Sequence, residues 1–309
     1  MSVTHRFDTI AIIGIGLIGS SIALAARDND MAGTVRLFDQ SDAVGERAAA
    51  IGLGEICSSI EQAVTGADLI ILCVPSGSMG NVGLEIAPFL KAGCIVTDVG
   101  SVKAAVVDQL RPILPDTAFL VPGHPIAGTE KSGPEAGFAA LFKGRWTILT
   151  PLDDPRADYG HAVEALSGFW VGLGSDVELM EPARHDLVLA MTSHIPHLIA
   201  FCVVATAEDV ETVTDSEVVK YSAGGFRDFT RIAASDPTMW RDVFLLNREA
   251  VLDLLGRFSE DLTALRRAIR WGDGETLFNT FERARRMRRE VIDAGQDSDA
   301  PNFGRDKAD

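Results

Sequence analysis

Apolar and polar residues come in blocks along this chain, and the period of the blocks changes once. In the first part, short apolar runs alternate with stretches of helical spacing. Phe7–Ile13 (FDTIAII) is an apolar run that ends at a glycine, and Leu17–Arg27 reads as a helix. Thr34–Asp39 is a second strand and Asp42–Ile51 a short helix. Ala67–Val74 is apolar after Asp68, Gly77–Leu90 has helical spacing, and Cys94–Val99 is a fourth strand. Val102–Leu114 follows as a helix behind Ser101, and Thr117–Pro122 and Arg145–Thr150 are further strands. Strands that are apolar on both faces and separated by helices predict a parallel sheet covered on both sides.

Near Met180 the period becomes helical and stays so to Arg289. Residues 182–208 predict one long helix with a kink at Pro196, and further helices are expected around 236–270 and 273–292. Val251, Leu255, Phe258, Leu262, Leu265 and Ile269 recur at intervals of 4, 3, 4, 3 and 4, a seam for another helix. Spacing leaves open whether that helix belongs to the same chain or to a second copy. The expected organisation is an α/β doubly wound parallel-sheet domain over 1–180, an all-α domain over 181–292, and a polar, disordered tail over 293–309.

Composition narrows the partners. With 309 residues the chain is long enough for about two domains, and its 47% hydrophobic content is ample for packed cores. A net charge of −16 argues against nucleic acid and means that an anionic substrate needs a local cationic pocket. The basic stretch at 282–290 (ERARRMRRE) has flanking acids and helical spacing, so it reads as a solvated helix face. The four cysteines form no CxxC pair, and Cys73, Cys94 and Cys202 lie in apolar runs, which suits a reducing cytoplasmic compartment. Ile10–Ala26 is uncharged for 17 residues, like a signal-peptide core, but an acid lies close before it and glycines interrupt it at 14, 16 and 19. A soluble cytoplasmic protein without a membrane partner is expected.

Gly14-Ile15-Gly16-Leu17-Ile18-Gly19 is a GxGxxG that follows a strand and opens a helix, the context that makes it a dinucleotide signature of the Rossmann type. Gly14 permits the tight turn, Gly16 lets a pyrophosphate approach the backbone, and Gly19 allows close packing of helix on strand. The helix start at Leu17 and Ile18 offers N–H groups to phosphates. Asp39 ends the second strand, 20 residues after Gly19, where a carboxylate accepts from ribose hydroxyls and repels a 2′-phosphate. NAD is therefore expected rather than NADP. Val74 and Pro75, ending the third strand, complete the expected cofactor-binding set.

Candidate chemistry sits where the strands end. The fourth runs into Asp98-Val99-Gly100-Ser101-Val102-Lys103, and Ser101 reads either as a helix N-cap or as a site residue. The fifth runs into Gly123-His124-Pro125, where a neutral imidazole can take a proton from a hydroxyl. Ser193-His194-Ile195-Pro196-His197 puts two histidines on one face of an apolar helix; no carboxylate or cysteine completes a metal set, so no metal is expected. Arg227 and Arg231 follow a glycine pair at 224–225 that suggests a mobile loop, and both are candidate carboxylate clamps, with Asp228 offering a plain salt bridge instead.

Taken together, GIGLIGSS, DVGSVK at 98–103, GHPIAGTE at 123–130, SHIPH at 193–197 and GGFRDFTR at 224–231 resemble the prephenate/arogenate dehydrogenase family of tyrosine biosynthesis, from about residue 8 to 290. The resemblance implies NAD-dependent oxidative decarboxylation of a dicarboxylate, giving 4-hydroxyphenylpyruvate or tyrosine, CO₂ and reduced nicotinamide, by a homodimer joined through the helical domain. It implies that His124 takes the ring-hydroxyl proton, that Ser101 helps hold the hydroxyl and His124, and that Arg227 pairs with a substrate carboxylate, with Arg231 beside it. It places His194 in the substrate pocket and Glu130 at its mouth. A 3-hydroxyacid dehydrogenase is the rival enzyme, and an NAD-sensing regulator the non-enzymatic alternative. An ordinary histidine at 124 would place the pH limb of activity near about 6.5.

Overall fold

The computed structural model describes residues 4–129, 131–214 and 220–293. Glu130 and the expected tail beyond Asp293 lie outside the described residues. Six parallel strands form the main sheet: β1 (Phe7–Ile13), β2 (Ala32–Phe38), β3 (Glu55–Ile56), β4 (Leu69–Leu72), β5 (Ile95–Asp98) and β6 (Phe119–Leu120), in the order β3-β2-β1-β4-β5-β6. The reversal of winding falls between β1 and β4, the switch point at which ligands bind beyond the strand ends. The doubly wound parallel sheet is as the apolar runs predict.

Alternation along the central strands builds two cores. Ile10 and Ile12 of β1 and Leu69 and Ile71 of β4 point to one face, with Ile22 and Ala23 of α1 (Leu17–Asp28). Ala11, Ile13, Ile70 and Leu72 point to the other. That second face carries α3 (Ile60–Val64), α4 (Met79–Ile86) and α5 (Ala104–Leu110), after the short α2 (Asp42–Ala50). The first face is closed by α6 (Tyr159–Gly172), whose Leu166, Phe169 and Trp170 are fully buried. The uncharged run Ile10–Ala26 is thus the central strand and the first helix of the domain.

A second sheet was not expected. β7 (Gly123–Pro125), β8 (Trp146–Leu149) and β9 (Asp176–Leu179) form it, with β7 antiparallel and β9 parallel to β8. The segment after β6 therefore leaves the main sheet before it reaches His124, and His124 itself is a strand residue opposite Ile148.

Beyond β9 the described residues are helical. α7 (Pro182–Leu189) passes through a π-helical turn over Ala190–His194 into α8 (Ile195–Thr214). Pro196 has no N–H to donate, and its ring crowds the carbonyl four residues back; a wider turn relieves both, in place of a simple kink. The run Pro182–Val210 is apolar and long enough to cross a membrane; an 18-residue window in it has a mean hydropathy of 1.9, and 28% of that window is buried within the chain. α9 (Gly224–Thr230), α10 (Pro237–Leu246), α11 (Arg248–Trp271) and α12 (Gly274–Asp293) follow. By contacts the chain divides into a compact unit Met1–Val251 and a second unit from Leu252 onward.

Candidate active site

The cofactor end of the sheet is shaped by close contacts that only glycine allows. Gly14 has φ +98°, and a Cβ there would lie 2.5 Å from the Cys73 carbonyl oxygen, with a Val74 methyl at 3.2 Å. At Gly19 a Cβ would lie 2.1 Å from the Gly14 carbonyl oxygen, so helix and turn touch directly. Gly16 is different: nothing lies within 4 Å of its Cβ position, and it precedes α1 without a side-chain cap. An open approach to an uncapped helix N-terminus fits a pyrophosphate. Asp39 is pinned beside this turn, its two oxygens accepting from the backbone N–H groups of Ile15 (2.9 Å) and Ser41 (3.0 Å). Each carboxylate oxygen retains a lone pair for a ribose hydroxyl. Leu17 is buried, Ile18 half-buried, and Pro75 exposed beyond the end of β4.

The loop after β5 is fastened by a buried ion pair. Lys103 is fully buried; its ammonium contacts the Asp98 carboxylate and donates to the Gly123 carbonyl at 2.6 Å. Burial pulls the Lys103 pKa down and Asp98 opposes that shift. Asp98 also accepts from the Gly100 N–H at 2.8 Å. Both charges act as a clamp between the loop and the first residue of β7, and removing either partner leaves the other stranded. Ser101 is half-buried on this loop and is not the cap of α5. The cap comes from elsewhere: Asp186 on α7 accepts from the N–H groups of Lys103 (2.7 Å) and Ala104 (2.9 Å).

His124, the residue after the clamp, meets α7 directly. Its Nδ1 is 2.9 Å from His185 Nε2, and His185 Nδ1 is 2.8 Å from Asp186 Oδ1. His185 is fully buried and His124 is 8% exposed. Burial above all, with the charge that His185 would carry if protonated and the Lys103 ammonium adding to it, holds the His124 pKa well below 6.5. The imidazole is therefore held neutral across the physiological range, unlike an ordinary histidine titrating near about 6.5.

His194 lies in the π-helical turn, also fully buried. The Asn247 amide nitrogen donates to the Asp186 carbonyl (2.8 Å) and reaches His194 Nδ1 at 3.1 Å. A carbonyl on one side fixes the amide's orientation, so His194 Nδ1 is the acceptor and Nε2 carries the proton. That Nε2–H is buried and makes no hydrogen bond of good geometry; the Ser101 backbone is close enough to raise the His194 pKa, so a ligand oxygen there would compete with it. Burial pulls the His194 pKa down to about 4, against the opposing pull of Asp186. His197, the second histidine of the pair, is occupied otherwise: it bonds the Ser193 carbonyl at 2.8 Å and stacks on Trp240 with ring centroids 3.7 Å apart.

The fold thus brings His124 and His194 into one cluster, together with His185, Asp186 and Asn247, which the sequence reading passed over. A His-Asp pair in the first turn of an apolar helix was the only signal for them. Arg227 is exposed on α9, where Gly224 and Gly225 form the first helical turn and not a mobile loop. Arg227 makes no ion pair among the described residues, while Arg231 lies close enough to lower the His197 pKa, after burial as the larger cause. Among the described residues no group of three His, Cys, Asp or Glu is arranged to hold a metal ion.

Two family profiles cover this architecture. One, described as prephenate dehydrogenase, nucleotide-binding domain, matches residues 22–179, and the other, prephenate dehydrogenase, dimerization domain, matches 181–283. The chain belongs to the prephenate dehydrogenase family. It is 44% identical over 283 residues to a cyclohexadienyl dehydrogenase of Zymomonas mobilis, covering 91% of this chain and 95% of that one. It is 36% identical to a prephenate dehydrogenase of Bacillus subtilis, over 91% of this chain and 75% of the relative. Among prephenate dehydrogenase structures, one from A. aeolicus in complex with hydroxyphenyl propionate and NAD+ superposes with a TM-score of 0.85 at 33% identity, covering 94% of this chain and 100% of that one.

Proposed function

We propose that this chain is an NAD-dependent dehydrogenase that oxidatively decarboxylates prephenate, arogenate or both, in tyrosine biosynthesis. The observation that carries the reading is a buried, neutral His124 in the same cluster as a buried His194 whose Nε2–H makes no hydrogen bond of good geometry, beside the end of the parallel sheet. Bound NAD supplies the hydride acceptor. His124 Nε2 takes the proton of the ring hydroxyl as the carbon beneath it is oxidised. The ring carboxylate leaves as CO₂, its bonding electrons pass through the ring to the oxygen, and the proton held on His124 returns to that oxygen; aromatisation drives the sequence forward. The chain's own contribution is orientation and one proton acceptor.

His194 Nε2–H is assigned to a substrate oxygen, and Ser101 to the hydroxyl beside His124. Arg227, with Arg231, is assigned to a carboxylate of the dianionic substrate, which a chain of net charge −16 has to meet with local positive charge. Glu130 is assigned to the pocket mouth. Gly14, Gly16, Leu17, Ile18, Gly19, Val74 and Pro75 are assigned to the dinucleotide, and Asp39 to its adenosine ribose, which favours NAD over NADP.

Exposed apolar residues support a homodimer through the helical part. Leu187, Val188 and Met191 are exposed on one stretch of the first unit. Leu262, Ile269, Trp271, Phe278 and Phe281 are 49–74% exposed in the second. Exposed apolar side chains in such runs suit a protein interface, and a second copy is the partner that fits a family whose helical domain is described as a dimerization domain. A soluble cytoplasmic enzyme is the corresponding reading for Pro182–Val210.

The test is steady-state kinetics with prephenate and arogenate, each with NAD and NADP, alongside His124→Asn. The variant should bind NAD normally and lose about 10²- to 10⁴-fold in turnover. Unchanged turnover, or no activity of the unaltered protein on either substrate, would overturn the proposal.

A further inference from the structure

Two buried residues outside the assigned site, His185 and Asp186, end on the ring nitrogen of His124 that faces away from the proton-accepting one. Asp186 Oδ1 accepts from the Lys103 backbone N–H at 2.7 Å and Oδ2 from that of Ala104 at 2.9 Å. A carboxylate holding two backbone donors is an acceptor, so the 2.8 Å contact from His185 Nδ1 is a donation to it. A neutral imidazole has one N–H. With Nδ1 as the donor, His185 Nε2 is an acceptor, and the 2.9 Å contact there is His124 Nδ1–H donating to it. His124 Nε2 is then left bare.

We propose that His185 and Asp186 are positioning residues that set the tautomer and ring orientation of His124, holding Nε2 as the base for the substrate hydroxyl. The inference rests on the reading of His124 as the proton acceptor. The opposite polarity, with His185 Nε2–H donating to His124, needs a doubly protonated His185, and burial opposes that charge. During the reaction one proton moves from the hydroxyl to His124 Nε2, and the new imidazolium keeps its Nδ1–H on His185, two hydrogen bonds from the Asp186 charge. No other atom needs to move. Because Asp186 also caps α5, the same carboxylate ties the Ser101 loop to the base, so loop and histidine are set in register by one group.

This arrangement was invisible in sequence because its parts come from three places: β7, α7 and the start of α5. It also explains why the catalytic histidine sits in a strand. Pairing with Ile148 holds the His124 backbone, and the relay then has only the ring rotation left to determine.

The tautomer is read directly by nitrogen NMR of the unaltered holoenzyme carrying ¹⁵N-histidine, with His124 assigned by comparison with His124→Asn. Nδ1 should be protonated and Nε2 bare; the reverse assignment overturns the proposal. Kinetics of two variants supply the second reading. His185→Phe removes the acceptor and should lower kcat about 10²- to 10⁴-fold, with KM for both substrates within about threefold. His185→Gln can place an amide oxygen where Nε2 was, and should recover kcat to within about tenfold of the unaltered enzyme. Equal losses in both variants would reduce His185 to packing and overturn the proposal, as would full activity of a folded His185→Phe. If His185→Phe is active while His124→Asn is not, the relay alone fails. If His124→Asn is active, the reading of the base fails first.

Discussion

Acidifying the solution from about pH 7.5 to about pH 5 should destabilise the fold, with about 2 kcal/mol of that loss traceable to His194 alone. His194 is fully buried, and burial pulls its pKa down to about 4. In the unfolded chain the same imidazole titrates near about 6.5. A depressed histidine pKa means that the unfolded chain binds more protons between these two values. The stability is therefore whole above the unfolded value, is lost as pH falls through the window, and stops changing below the folded value. At about pH 5 the unfolded imidazole is almost wholly protonated and the folded one about a tenth, a ratio of binding polynomials near about thirty, or about 2 kcal/mol. The assay is denaturant unfolding at fixed protein concentration, since a dimer's stability depends on it, for the unaltered protein and His194→Gln. The variant will be weaker at about pH 7.5, having lost the Asn247 contact, but its stability should fall less on acidification, by about 2 kcal/mol. Parallel pH dependences in the two proteins would refute the argument. The burial of His124, His185 and His197 shifts each of them the same way, so the unaltered protein should lose more in total than His194 explains.

Three further outcomes are expected. With chemistry rate-limiting, activity should be level between about pH 6.5 and 8 and fall only at lower pH, because His124 must lose its proton to act and its pKa is held well below 6.5; a rate still rising above about pH 6.5 would contradict this. Arg227→Ala should raise KM for the dicarboxylate more than it lowers kcat, and an unchanged KM would move the carboxylate contact to another cation. Gly19→Ala drives a Cβ to 2.1 Å from the Gly14 carbonyl, so calorimetric titration should find NAD binding weakened at least about tenfold and melting a loss of about 1–3 kcal/mol, with wild-type values in both refuting the close-contact account.

Much of the fold was legible in the chain. The runs of β1, β2, β4, β5 and β6 stood out, and their alternation with helices pointed to a parallel sheet; β3, two residues long with Glu55 exposed, did not, and the spatial order of the strands came only with the structure. The short second sheet was not legible: β7 has 3 residues, contains a proline, and draws its strand character from pairing with β8. The glycine turn could be read because Gly14 and Gly19 answer to local geometry, a positive φ and a backbone contact five residues apart. The expected loop at Gly224–Gly225 became a helix because glycine permits a mobile turn without requiring one, and α9 packs on α8.

Sequence by itself determined the parts whose cause is local: the periodicity of strands and helices, the glycine turn, the acid that ends β2, and the positions of His124 and His194. Tertiary structure alone decided what those histidines can do. The neutrality of His124 comes from burial against α7, its tautomer from His185 and Asp186 some 60 residues away, and the placement of the His194 proton on Nε2 from Asn247. Protonation state and tautomer depend on which dipoles and charges lie within a few ångströms, and contacts between distant segments exist only after the chain has folded.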